Sequence, residues 1–123
     1  MRILIAEDEP MMATALEKKL ISDGHQVVYA QDGRTALELL KKDLPDLIIT
    51  DIMMPYTSGL ELIGVIRSDI KLKIPIIVLS GMGEEETVLQ AFELGADDFI
   101  IKPFNPTELS IRVKRFSIKK TNK

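Results

Sequence analysis

Five side chains able to act on a phosphorus or metal centre stand where short apolar runs stop. Glu7 and Asp8 follow RILIA, Asp51 follows LIIT, Ser80 ends IPIIVLS and Lys102 ends FIIK. If those runs are strands of one open parallel sheet, ligands bind beyond their carboxyl ends, and three carboxylates, a hydroxyl and an ammonium converge on one edge. Crowded carboxylates raise one another's pKa unless a cation joins them, and an all-oxygen, partly hydrated ligand set suits Mg²⁺. Beside such a cation an aspartate is a competent nucleophile toward phosphorus, giving an acyl phosphate, while a lysine and the metal neutralise the transferred oxygens. Ser80 is placed to hydrogen-bond the same phosphoryl group, and the backbone carbonyl of Met53, in DIMMPY, to ligate the metal. One strand-terminal aspartate alone reads equally well as a turn or cap residue. Five such placements together favour the chemical reading.

The elements that must position these groups follow from periodicity. Strands are expected over residues 2–6, 26–30, 47–50, 74–80 and 99–102, rich in Ile and Val and apolar without strict alternation, which implies burial on both faces. Helices are expected over Pro10–Ile21, Arg34–Lys42, Gly59–Arg67, Glu84–Leu94 and Pro106–Lys119, with Pro10 and Pro106 in first turns. Glycines in SDG, QDG and ELGAD mark stops and turns. Five β/α units in sequence predict an α/β fold, a parallel sheet covered on both faces and joined by right-handed crossovers.

Bulk properties agree with one such domain. The chain has 123 residues, enough to bury a core. With no cysteine it has no disulfide framework, thiolate nucleophile or cysteine-built metal site. The opening MRILIAEDEP is too short and too acidic for a signal segment, and no run is long enough to span a bilayer, so a cytoplasmic location without membrane contact is expected. A formal charge of -3 gives no reason to expect direct nucleic-acid binding. Six basic residues from Arg112 to Lys123, with no acid among them, read as a solvated helix face.

The segments ILIAEDEP, PDLIITDIMMPYTSG, IPIIVLSG and GADDFIIKPF resemble the receiver domains of two-component response regulators, a likeness spanning residues 2 to 119. The resemblance implies the flavodoxin-like strand order 2-1-3-4-5 and a phosphorylation-dependent switch. Carried over by position, Asp51 is the phosphoacceptor, Asp8 a direct Mg²⁺ ligand with Glu7 beside it through water, and Met53 a ligand through its carbonyl. Ser80 is the switch hydroxyl, Phe99 the switch aromatic and Lys102 the phosphate-binding lysine. A cis bond is implied between Lys102 and Pro103. Glu at position 7, where many receivers carry Asp, matches a common variant among DNA-binding receivers. The donor is expected to be a histidine kinase or a histidine phosphotransfer protein, because His25, the only histidine, reads as a turn residue far from the strand ends. Residues 1–119 are expected to form the receiver and 120–123 a basic tail or the start of a linker. The chain is expected to assist its own phosphorylation and dephosphorylation and to turn over no metabolite. Met53 and Met82 stand where the family flanks the path of hydrolytic water, and neither can orient water strongly, so a long-lived phosphoryl group is expected.

Output is expected through the surface of helix 4, strand 5 and helix 5. In receivers of winged-helix transcription factors this face pairs into a dimer through charges, and Asp98, Glu108 and Arg112 match that pattern, whereas the usual basic residue of helix 4 is Val88 here. Leu109, Val113 and Phe116 make the inward stripe of the last helix, and Ile111 and Ile118 point away from it. Val88, Ile111 and Ile118 are thus expected to form an apolar contact patch for a homodimer or a separate effector protein. Two rivals are weaker. An Mg²⁺-dependent aspartyl-phosphate phosphohydrolase of the haloacid dehalogenase type needs an acid/base aspartate where Met53 stands. A flavin- or nucleotide-binding module of the same topology needs a phosphate-cradling loop where AEDEP stands.

Overall fold

Short runs of Ile, Leu and Val that are apolar at every position can be buried only between two helical layers, and that is where the runs at 3–6, 47–51 and 76–80 lie, whereas the edge runs at 26–30 and 98–101 are only partly buried, against expectation. The computed structural model describes residues 1–54 and 57–121, with side chains through Ser117. Strands β1 (Arg2–Ala6), β2 (Gln26–Ala30), β3 (Leu47–Asp51), β4 (Ile76–Ser80) and β5 (Asp98–Ile101) alternate with helices α1 (Pro10–Ser22), α2 (Gly33–Lys42), α3 (Gly59–Gly64), α4 (Glu85–Leu94) and α5 (Pro106–Thr121). All strand pairs are parallel, in the order β2-β1-β3-β4-β5, as the resemblance implies.

Alternation along each strand divides the core in two. Ile3, Ile5, Ile49 and Leu79 pack with Leu16 and Leu20 of α1 and with Leu109, Val113 and Phe116 of α5. Leu4, Ile48 and Val78 pack on the other face with Leu40 of α2, Leu62 and Ile63 of α3, and Ala91 of α4. The inward stripe expected for the last helix is therefore observed. Among the described residues no helix is long and apolar enough to cross a membrane.

The boundaries differ from expectation where backbone donors are missing or diverted. Ile74 and Pro75 lie outside β4, because Pro75 has no N–H for the ladder and the Ile76 N–H is taken by the Asp97 carboxylate at 2.8 Å. Strand β3 extends through Asp51, and β5 starts one residue early, at Asp98.

The helical segment after β3 also widens, continuing from α3 as a π turn over Val65–Asp69 closed by Ile70 N–H on the Val65 carbonyl. Within that turn Arg67 donates to the Leu72 carbonyl at 2.6 Å, to the Gly95 carbonyl at 3.0 Å and to Asp97 Oδ2 at 2.9 Å. One guanidinium thus fastens α3 to the α4–β5 loop and to the Asp97 carboxylate that starts β4. Gly95 has φ +120°, and a Cβ there would lie 2.8 Å from Arg67 Cγ.

Candidate functional site

The strand order reverses between β1 and β3, the place where a crevice opens beyond the strand ends. Their register pairs Ala6 with Thr50, so Glu7 and Asp51 are the next residues on adjacent strands. Both are buried, Glu7 at 0% and Asp51 at 2% exposure, whereas Asp8 is exposed. Oxygens of the three carboxylates lie within 4.8 Å of one another.

Each oxygen of the two buried acids is accounted for differently. Glu7 Oε2 accepts the Glu9 N–H at 3.2 Å, and the Glu7 carbonyl accepts the Tyr29 hydroxyl at 2.7 Å, which fixes the loop after β1. Among the described residues Glu7 Oε1 accepts no hydrogen bond, and Lys102 Nζ stands 3.9 Å away. Asp51 Oδ1 accepts the Met53 N–H at 3.3 Å and Oδ2 accepts Lys102 Nζ at 2.8 Å. Burial, then the hydrogen bond and charge of Asp51, push the Glu7 carboxyl up to about 8. Burial disfavours the Lys102 ammonium, but the Asp51 hydrogen bond and the charges of Asp51 and Glu7 outweigh it and raise its pKa.

One lysine beside three acids leaves a negative, oxygen-only cluster with a buried acceptor still open. Those features fit a hard divalent cation, and Glu7, Asp8 and Asp51 are the groups able to hold it. Met53 lies beside them with its side chain 63% exposed, and its amide is the group that meets Asp51.

The remaining expected residues fall on the α4 side of the sheet. Ser80 and Phe99 line one cavity of about 360 Å³ with Met82, Leu89 and Phe92. Phe99 is partly buried, edge-on to Phe92 at 6.0 Å between centroids, and the Arg112 guanidinium lies 5.9 Å from its ring centre. The Lys102–Pro103 peptide is cis, as the resemblance implies. His25 sits at the amino ends of the strands, its Nδ1 3.1 Å from the N-terminal ammonium.

On the expected output face, Asp98 is bound within the chain, accepting Arg112 at 2.6 Å and Arg115 at 3.1 Å, while Arg112 also bonds Glu108 at 3.1 Å. Ile111 points outward and is 64% exposed. Val88 does not belong to that surface. It is buried with Ala91 one turn later, lining the cavity of Ser80 and Phe99 from inside, and the exposed large apolar residues of α4 are Leu89, Phe92 and Leu94. Ile118 lies outside the residues whose side chains are described.

Sequence reasoning missed several supporting residues. A Cβ on Gly59 would sit 2.2 Å from the Asp51 carbonyl oxygen, so only glycine lets α3 begin against the end of β3. The glycine in PYTSG was the visible sign. Arg115, Tyr29 and Glu84, whose carboxylate accepts the Gly81 N–H, gave no sign in local pattern.

Comparison with known proteins decides what this arrangement belongs to. The family model for the response regulator receiver domain matches residues 3–114. The chain belongs to the response regulator receiver domain family. It is 40% identical to the alkaline phosphatase synthesis transcriptional regulatory protein PhoP of Bacillus subtilis (strain 168), over 92% of this chain and 46% of that protein. It is also 40% identical to the phosphate regulon transcriptional regulatory protein PhoB of Klebsiella pneumoniae, over 92% of this chain and 50% of that protein. The receiver thus spans about half the length of the curated relatives it matches. Among solved structures it superimposes with TM-score 0.89 on the receiver domain of Francisella response regulator 1452, at 32% identity, covering 97% of this chain and 98% of that one. Receiver domains are signalling switches of two-component systems, and those of transcriptional regulators pair with histidine kinases. Neither the phosphohydrolase nor the flavin-module reading is favoured.

The burial of Glu7 sets a pH dependence for the receiver without divalent cation. Its carboxyl titrates near 8 when folded against an ordinary value of 4.5, so between those values the folded chain holds a proton that the unfolded chain releases. Stability therefore falls as the pH rises through that window. In chelator, the midpoint of urea unfolding should drop from pH 5.5 to pH 8 for the wild type. The Glu7→Gln variant should lose that slope and be the more stable of the two at pH 8; parallel profiles for the two proteins would count against the assignment.

Proposed function

We propose that this receiver takes a phosphoryl group from the phosphohistidine of a histidine kinase or histidine phosphotransfer protein onto Asp51, in an Mg²⁺-dependent reaction. The observation that carries it is the buried Asp51 carboxylate at the carboxyl end of β3, 2.8 Å from Lys102 Nζ and within reach of two further carboxylates. In the transfer an Asp51 oxygen bonds to phosphorus, the P–N bond of the donor breaks, and the donor imidazole leaves with the electron pair and is reprotonated by solvent. Lys102 stays charged through the physiological range and offsets the negative oxygens that arrive beside it. Glu7, Asp8 and Asp51, with the Met53 carbonyl, would hold Mg²⁺, which supplies charge neutralisation to the incoming phosphoryl oxygens. Ser80 donates its hydroxyl to the group once bound, and Phe99 follows Ser80. The receiver is proposed to occupy residues 1–119, with α5 continuing to Thr121 into the expected tail or linker segment 120–123.

With Mg²⁺ and acetyl phosphate, intact-mass measurement should show one added phosphoryl group. Chelation or Asp51→Asn should remove the label, and undiminished labelling of Asp51→Asn would sink the assignment.

The group should then persist. Met53 and Met82 are 63% and 85% exposed, and neither offers strong hydrogen bonds to water beside the acyl phosphate. The double substitution Met53→Asn, Met82→Glu should speed loss of the label about tenfold or more, given the usual contribution of positioned acid–base groups. An unchanged decay rate would show that these side chains do not set the lifetime.

Output runs through α4, β5 and α5. Ile111, Leu89 and Phe92 give this face exposed apolar area, while Asp98, Glu108 and Arg112 are already paired within the chain. The resulting contact is apolar in its centre and serves a homodimer or a separate effector protein. Ile111→Lys should be phosphorylated at the wild-type rate yet lose association in sedimentation with beryllofluoride as phosphoryl mimic. A wild type that stays monomeric with the mimic, together with effector binding unaffected by Ile111→Lys, would remove the patch from the mechanism.

A further inference from the structure

The ladder between β3 and β4 ends with the Ile52 N–H on the Leu79 carbonyl at 3.1 Å. In a parallel ladder alternate residues of a strand serve the same neighbour, so the next β4 donor facing β3 is the Gly81 N–H. The Ser80 carbonyl faces the opposite neighbour and accepts the Lys102 N–H at 2.7 Å. The acceptor that would continue the ladder, the Ile52 carbonyl, is occupied by the Gly59 N–H at 2.8 Å. Gly81 therefore presents a donor that the sheet no longer uses, on the Asp51 side of β4 and one residue past Ser80. That donor is taken by the Glu84 carboxylate. Glu84 also lines the cavity shared by Ser80 and Phe99, and its charge acts on Lys102. It precedes α4, to which its side chain gives no cap. A fourth carboxylate, outside the acidic cluster, is thus folded back onto the donor just past β4.

We propose that Glu84 is an internal competitor of the phosphoryl group: its carboxylate holds the Gly81 N–H in the unphosphorylated chain, and phosphorylation displaces it. The inference rests on Asp51 being the phosphoacceptor. Phosphorylation takes Asp51 from one negative charge to nearly two and adds three phosphoryl acceptor oxygens, against one charge and two oxygens for the Glu84 carboxylate. The phosphoryl group therefore wins the shared donor and repels Glu84. What moves with Glu84 is the Gly81–Glu84 turn, where Gly83 has φ +87°, and then the first turn of α4, which carries Glu85 and Glu86. The displaced segment is the rim of the cavity that holds Ser80 and Phe99, so the exchange of one anion for another carries the signal to the α4 face. Glu84 is a positioning residue, and its removal makes phosphorylation easier.

A carboxylate accepting a backbone N–H three residues back can also be a plain loop fastener, and the two roles predict opposite signs. With the full chain, Mg²⁺ and beryllofluoride, Glu84→Ala should bind the mimic about tenfold more tightly than wild type, the scale of one charge-assisted hydrogen bond no longer displaced. Glu84→Gln, which keeps the acceptor oxygen and loses the charge, should fall between them. Acetyl phosphate labelling should accelerate in the same order, and the Gly81 amide resonance should shift on mimic addition in the wild type. Affinity unchanged or weakened in both variants overturns the competitor role. Wild type that binds the mimic while Asp51→Asn does not would leave the Asp51 reading standing whatever the Glu84 variants do. Wild type that binds no mimic and takes no label would bring down both.

Discussion

Two carboxylates lie buried side by side because the β1–β3 register leaves them nowhere else to go. Once Ala6 is opposite Thr50, Glu7 and Asp51 are neighbours at a crevice with hydrophobic layers on either side. Isolated burial of either charge is costly, and burying both without a partner is more so. The surrounding structure answers that cost in parts: Lys102, just past β5, reaches across to Asp51, backbone amides of Glu9 and Met53 turn toward the carboxylates, and Glu7 leans toward its protonated form. What stays unmet, the second oxygen of Glu7, is the opening that a cation fits. The chemistry of the family begins from an arrangement that the bare protein holds under electrostatic tension.

The route from that point to the surface is short and mixed in character. Ser80 and Phe99 face the same cavity; Phe99 meets Phe92 of α4 edge-on, and the Arg112 guanidinium of α5 lies over its ring. Arg112 is in turn held by Asp98, the residue before Phe99. A ring that moves in this cage changes an apolar contact with α4 and a cation contact with α5 together. Asp98 works here as an internal anchor for two arginines, so the outward face of α5 is left to Ile111 and its basic neighbours.

Much of this was legible in the chain because the signals were local. Continuous apolar runs ending in Asp51, Ser80 and Lys102 place strand and reactive group in one stretch, and glycines and prolines mark most of the stops. Failures arose where the deciding partner is distant. Residues 74 and 75 read as strand, but the Ile76 N–H bonds a carboxylate twenty-one residues on. Val88 was assigned to the surface by position in a family pattern, and α4 is apolar on both sides, so periodicity alone could not say which of Val88, Leu89 and Phe92 faces the sheet. Glu84 was invisible because its partner becomes available only where the β3–β4 ladder stops.

Arg67 shows how such long-range fastening shapes the way this fold can change over generations. Its side chain occupies the space where a Cβ on Gly95 would have to go, and it satisfies the carbonyl of that same glycine. The two positions are therefore coupled sterically, and the coupling has a direction. A lineage can lose the arginine and keep the glycine, leaving water to serve the freed carbonyls. The reverse step is closed while Arg67 remains, since any side chain at 95 would evict it and with it the fastening of three segments.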